Sequence, residues 1–228
     1  MAQKQNYQLL MERVLASPAH AEGRRPRLLL HSCCAPCSSY VLEMLTPHFD
    51  ITVDYYNPNI DTAEEYAHRA EEQRRFAAEA ALSSPVAVHV EPYAPRAFYD
   101  AVKGLEREPE GGARCLACFR LRLAQAAHLC RDGGFDYFCT TLSISPHKDA
   151  AALNAIGEEL ARAHGVRWLP SDFKKKNGFK RSTQLSQQHH MYRQDYCGCV
   201  FSKREREAAL AQKAREAQGC GNDERRNV

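Results

Sequence analysis

Short apolar runs alternate with amphipathic stretches along most of this chain, and that alternation admits few folds. Arg27–His31, Ile51–Tyr56, Val86–Val90, Phe135–Thr141 and Val166–Leu169 each read as a strand. Helical patterns lie between them: Ser38–His48, a charged stretch from a cap at Asp61 or Thr62 to about Leu82, residues 95–103, Cys115–Arg131, and Asp149–His164. Glycines follow the last two, at Gly133-Gly134 and Gly165, where helices commonly stop. Strands that alternate with helices predict an α/β fold, a parallel sheet with flanking helices on both faces. Ligands of such sheets bind beyond the carboxyl ends of the strands. Chemistry is therefore expected in the loops 31–37, 56–61, 91–95, 140–148 and 169–181.

Residues 1–26 read as an N-terminal helical extension, with a loose linker from Pro18 to Pro26. Residues 27–203 read as a single α/β catalytic domain. A polar helix near 180–193 closes it, and a charged, helical C-terminal tail covers 204–228. A chain of 228 residues buries enough surface to need no covalent staples. No apolar run approaches the roughly 20 residues of a membrane helix. The first 18 residues are polar and lack the apolar stretch of a secretory signal, so a cytoplasmic protein is expected. In that reducing compartment, ten cysteines point to metal ligation or catalysis rather than to disulfides. The formal net charge of +3 hides local asymmetry and says little about partners.

The cysteines fall in groups. Cys33-Cys34-Ala35-Pro36-Cys37 follows the first strand, where a phosphate-binding turn would be glycine-rich. Thiolates beside a helix N-terminus are stabilised, which favours metal ligation or nucleophilicity; buried packing is the bland alternative. Cys115 and Cys118 form a CxxC whose i, i+3 spacing puts both sulfurs on one helix face. They read as half a zinc site, half an iron–sulfur site, or a redox dithiol. Cys197-Gly198-Cys199 reads as a strained, redox-active pair, as ligands of a second metal, or as plain structure. Cys130 and Cys139 fit the core, and Cys220 lies in the tail.

Other residues suit nucleotide contacts. Thr140–Asp149 offers Ser143 and Ser145 hydroxyls, His147 and the cation Lys148. Ser171–Arg181 holds five cations and one anion, with Phe173 and Phe179 interleaved, the pattern of a nucleic-acid groove. Lys174, Lys175, Lys176, Lys180 and Arg181 supply its charge, and Arg193 extends it. Tyr56, Asn57 and Asn59 share the same mouth; the asparagines suit base recognition or a turn.

Taken together, HSCCAPCS, YNPNI, the CxxCFxxRL stretch that starts at Cys115, TTLSISPHKD and SDFKKKNGFKRS…YRQDYCGCVFS resemble the QueH-type epoxyqueuosine reductases. The resemblance runs from about Leu28 to Ser202. It implies reduction of epoxyqueuosine to queuosine in tRNA, the last step of queuosine biosynthesis, without cobalamin. The implied fold is similar to the adenine nucleotide alpha-hydrolase and PP-loop class, Rossmann-like but without the nucleotide-binding glycines. The implied cofactors are a [4Fe–4S] cluster, with Cys33, Cys34, Cys115 and Cys118 as its ligands, and an additional iron ion held by Cys37. The implied partner is tRNA carrying epoxyqueuosine at the wobble position; the electron donor is unidentified. Two electrons and a Lewis acid are needed to remove an epoxide oxygen, and Cys197 and Cys199 could supply or relay the electrons beside Cys37. Two other readings compete. A PP-loop-like iron–sulfur tRNA sulfur-transfer enzyme would need an SGGxDS-like loop where CCAPCS stands. A zinc-stabilised RNA-binding module would leave Cys37, Cys197 and Cys199 idle.

Overall fold

The computed structural model describes residues 5–17 and 24–223, with side chains as far as Glu216. Most of the Pro18–Pro26 linker, the side chain of Cys220 and the last five residues lie outside the described residues. Four strands form the sheet: β1 (Arg27–His31), β2 (Asp50–Tyr55), β3 (Ala87–Val90) and β4 (Tyr137–Thr140). All pair in parallel, in the order β3-β2-β1-β4. The helices are α1 (Tyr7–Leu15), α2 (Ala35–Leu45), α3 (Ala63–Glu79), α4 (Pro95–Ala101), α5 (Ala113–Asp132), α6 (Ala150–His164), α7 (Gly178–Gln188) and α8 (Val200–Asp223). A 3-10 turn covers Thr141–Ile144. The expected α/β architecture with a helical C-terminal extension is therefore present.

Connectivity places the site. From β1 the chain steps outward to β2 and β3 through α2 and α3. It then returns through α4 and α5 to β4 on the other side of β1. Right-handed crossovers put helices of opposite step on opposite faces. Accordingly, α2 packs with α3 and α7, while α5 packs with α4 and α6. The reversal of direction opens a crevice between the carboxyl ends of β1 and β4, where doubly wound sheets bind ligands. Leu28, Leu30, Val53, Phe138 and Cys139 are fully buried in a sheet covered on both sides.

The expected fifth strand is reduced to one bridge, Trp168 to Phe138. Two backbone bonds hold it: Phe138 N–H to Arg167 O at 2.9 Å, and Leu169 N–H to Phe138 O at 3.0 Å. Pro170 then has no amide to continue the ladder. Asn154 on α6 takes over the next residue, accepting from Ser171 N–H at 3.0 Å and donating to Ser171 O at 2.8 Å. Among the described residues, no helix is long and apolar enough to cross a membrane.

Candidate metal centre and its cavity

The first crossover turn brings three thiols together. His31 ends β1, Cys34 in extended backbone caps α2, and Pro36 stands in its first turn. Proline suits that position because its missing N–H would lack a helical partner anyway. Cys33, Cys34 and Cys37 thereby place their Sγ atoms within 4.8 Å of one another. Cys33 and Cys34 are 3.9 Å apart. Donation from the Cys34 and Cys37 thiols holds Cys33 well below the ordinary thiol range, with the Arg122 guanidinium and Thr141 hydroxyl assisting against burial. The same donation pushes Cys34 and Cys37 upward.

A cavity of about 650 Å³ opens over this trio at the β1–β4 crevice. Its size is that of a small-molecule site. Its walls carry Cys33, Cys34, Cys37 and Cys197, with the cations Arg69, Arg122, Lys148, Arg193 and Arg206. Ser145, His147 and Phe179 also line it, and Phe179 is 40% exposed.

Cys115 and Cys118 occupy the first two turns of α5. Cys115 Sγ accepts from Gly111 N–H at 3.2 Å. Cys118 is buried in a separate apolar cluster with Phe98, Val102 and Cys199. Burial raises the pKa of both thiols. Among the described residues, Cys33, Cys34 and Cys37 form the group whose donor atoms share one 4.8 Å reach, and the CxxC pair is not in that group. The charge of Arg122 nevertheless joins the two sets, because Cys118, Cys33 and Cys197 all act on its guanidinium.

The third group divides. Cys197 is half-buried and lines the cavity, and its Sγ accepts from Lys148 Nζ at 3.3 Å. Cys199 is buried, its Sγ accepts from Ser202 N–H at 3.4 Å, and burial pushes its thiol up to about 12. Gly198 between them has φ +114°, and a Cβ there would lie 2.9 Å from Arg69 Nη1. Only glycine fits that backbone beside that guanidinium. Every described cysteine is a free thiol.

The remaining sequence-selected residues separate into two kinds. Ser145, His147, Lys148 and Arg193 reach the cavity. Others are spent on structure. Asn57 is buried, donating to Ser32 O at 2.9 Å and accepting from Arg122 Nη2 at 2.5 Å. Ser143 is buried against Ser171 Oγ at 3.2 Å, and Asn59 is also buried. Tyr56 is half-buried. In the basic loop, Lys174 pairs with Asp172 at 2.7 Å, Lys176 with Glu12, and Arg181 with Glu43 at 2.5 Å. Lys175 and Lys180 are exposed, whereas Phe173 is core. Arg122, the arginine of the CxxCFxxRL stretch, is a further residue of the site. Its signal was an arginine four residues after Cys118, on the face of α5 that carries Phe119, Leu123 and Ala126 inward.

The donor set is all sulfur at its centre. Soft thiolates suit iron–sulfur clusters, iron or zinc, and do not suit magnesium or calcium. The residues present therefore fit a thiolate-bound metal group. Fold and site together define an α/β protein with a sulfur-lined cavity at the switch point of its sheet.

Comparison with known proteins narrows that class. The family model described as "Epoxyqueuosine reductase QueH" matches residues 28–205. A protein of that name from Streptococcus pyogenes serotype M1 is 42% identical over 94% of this chain and 85% of its own length. One from Staphylococcus epidermidis is also 42% identical, over 88% of this chain and 85% of its own. One from Thermotoga maritima is 34% identical over 82% and 96%. The chain belongs to the epoxyqueuosine reductase QueH family.

Proposed function

We propose that the chain reduces epoxyqueuosine to queuosine in tRNA, using a [4Fe–4S] cluster held by Cys33, Cys34, Cys115 and Cys118 and an iron ion held by Cys37. The observation that carries this reading is the trio of sulfurs within 4.8 Å at the switch point, in a chain of the QueH family. When bound, the metal group would supply electron transfer and a Lewis acid for the epoxide oxygen. The overall reaction adds two electrons and two protons, breaks both epoxide C–O bonds, leaves a C=C bond and releases water. Two thiols that close a disulfide release the same two electrons and two protons, so Cys197 and Cys199 balance one turnover.

The chain's own residues prepare the cavity for that work. Arg122 and Lys148 face the thiols with positive charge, which offsets the anionic sulfurs. Arg193 stands in the wall, suited to phosphate, whereas Arg206 there is paired with Asp195 at 2.9 Å; Phe179 offers an open ring face for a base. The large wobble nucleoside enters from this side, while its epoxide reaches inward to the trio.

Anaerobic purification followed by incubation with epoxyqueuosine-containing tRNA and a reductant tests the reading. The expected result is a brown protein with iron and sulfide, and queuosine among the released nucleosides. A colourless protein with one zinc and no product would support an RNA-binding module instead.

A further inference from the structure

Lys148 lies in the loop after β4, among residues that suggested contact with nucleic acid. Its ammonium instead points into the cavity and donates to Cys197 Sγ at 3.3 Å. Burial works against that charge, but the sulfurs of Cys197 and Cys33 more than offset it and raise the lysine's pKa. The partner sulfur two residues on has different surroundings. Cys199 sits with Phe98, Val102 and Phe201 in an apolar cluster; among the described residues no cation hydrogen-bonds its Sγ, and Arg114 acts on it through charge alone.

We propose that the Cys197–Cys199 pair is asymmetric: Cys197 is the leading thiol that acts from the cavity, Cys199 closes the disulfide from behind it, and Lys148 positions the leading sulfur. The proposal rests on the reading of this pair as a redox dithiol. The groups around Cys197 agree with it. Arg69 Nη1 donates to the Cys197 carbonyl at 3.5 Å, and Ser202 Oγ accepts from its amide at 3.1 Å. These contacts pin the backbone and leave Sγ to the lysine. Ser202 is itself held by Glu110 at 3.0 Å, so that carboxylate is engaged away from the sulfur. Arg122 is a second cation that the Cys197 sulfur acts on, and the thiols of Cys115, Cys118 and Cys199 are also within reach of its charge. In the step itself, Cys197 and Cys199 each lose a proton and an electron and form one S–S bond. The epoxide takes up both protons and both electrons as its oxygen leaves as water. Gly198 at φ +114° lets the backbone follow as the sulfurs close.

Lys148 is thus a positioning residue. An ammonium bonded to sulfur supports the negative charge the sulfur takes on as it reacts.

The test is time-resolved alkylation of the anaerobically purified, metal-loaded enzyme with iodoacetamide, read by peptide mapping. In the wild type, Cys197 is modified roughly tenfold faster than Cys199. Lys148→Met slows labelling of Cys197 by roughly threefold or more, and Lys148→Arg restores most of the rate. A merely structural lysine would, when removed, open the cavity and speed labelling. Equal or faster labelling of Cys199 in the wild type overturns the proposal without any variant. So does a wild-type Cys197 rate in Lys148→Met. Nucleoside analysis run in parallel keeps the two readings apart. Product with Cys199 labelled first sinks the thiol order alone, whereas absent product with Cys197 labelled first sinks the reductase reading and leaves the thiol order standing.

Discussion

Arg122 donates from Nε to Nε2 of His31 at 3.2 Å, with its guanidinium buried in the cavity wall. The same nitrogen lies 3.2 Å from Tyr56 O, and Nδ1 lies 2.8 Å from Thr140 Oγ1, so both ring nitrogens are engaged. Burial and the guanidinium together push the His31 pKa down to about 3, so the ring is neutral. Arg122 also donates to Asn57 Oδ1, and Asn57 donates in turn to Ser32 O. One α5 side chain therefore fixes the ends of β1 and β2 and the turn that presents Cys33.

Arg122→Met leaves two buried acceptors without their donor. Each costs roughly 1–3 kcal/mol. Arg122→Lys keeps the charge but loses the planar fork, so it recovers only part of the stability. Urea unfolding of the three proteins checks this, and a wild-type midpoint for Arg122→Met would sink it.

Asp54 pairs in register with His31 on the neighbouring strand, and among the described residues neither carboxylate oxygen has a hydrogen-bond partner. Burial first, then Glu91, raises its pKa to about 7 despite Arg122. An unfolded aspartate releases its proton near pH 4. Between about pH 4 and 7 the folded chain binds the extra proton, so rising pH withdraws stability across that window, and the loss is complete above it. His31 contributes an opposite slope, since it stays neutral while the unfolded ring protonates below about 6.5. Both Asp54→Asn and the wild type share that slope, and it cancels in their difference. Relative to the wild type, Asp54→Asn gains about 2–3 kcal/mol between pH 5 and pH 8. Urea titrations at both values measure it; a difference that does not move with pH excludes the idea.

Much of this was legible in the sequence, for identifiable reasons. β1, β2 and β4 announce themselves as short apolar runs between helical periods, and their loops carry the chemistry as parallel sheets require. The Cys33–Cys34–Cys37 turn is local, so chain order alone brings it together. What escaped depends on distant partners. Lys176 looks free until Glu12 is folded against it, and Arg181 until Glu43 is. Asn57 looks like a base reader until Arg122 and the Ser32 carbonyl occupy its amide. Trp168 looks like part of a strand until Asn154 takes its indole N–H and the backbone of Ser171.

Gly178 begins α7, the helix that carries Phe179 and Ser182 to the cavity. A Cβ there would lie 1.9 Å from the Phe173 carbonyl oxygen and 2.5 Å from the Tyr40 ring. The carbonyl belongs to the backbone and cannot rotate aside as a side chain can. Gly178→Ala therefore costs at least the roughly 1–3 kcal/mol of overpacking. For a chain this size, each kcal/mol lowers Tm by about 2–4 °C. Calorimetry reads the shift, and an unchanged Tm refutes the close packing of α7 on α2.

Salt dependence of tRNA binding separates the cations that grip phosphate from those already paired. Arg193 is exposed, lines the cavity, and among the described residues bonds a neutral hydroxyl, Thr183 Oγ1 at 3.2 Å, rather than a carboxylate. Its charge remains available. Lys176 is engaged by Glu12, and Lys174 by Asp172. Each phosphate contact contributes about 0.7–0.9 to the magnitude of the slope of log affinity against log salt. Arg193→Ala is expected to flatten the slope by about that amount. Lys176→Ala is expected to leave it nearly unchanged, because the freed Glu12 loses an internal partner and no phosphate contact is lost. The triple replacement of Lys174, Lys175 and Lys176 by Ala then flattens the slope by about one contact, contributed by exposed Lys175. That is well short of the roughly 2 or more expected from three free lysines. Filter binding of epoxyqueuosine-containing tRNA at several salt concentrations measures all three. A steep loss for Lys176→Ala, or none for Arg193→Ala, would move the phosphate grip from the cavity wall to the basic loop.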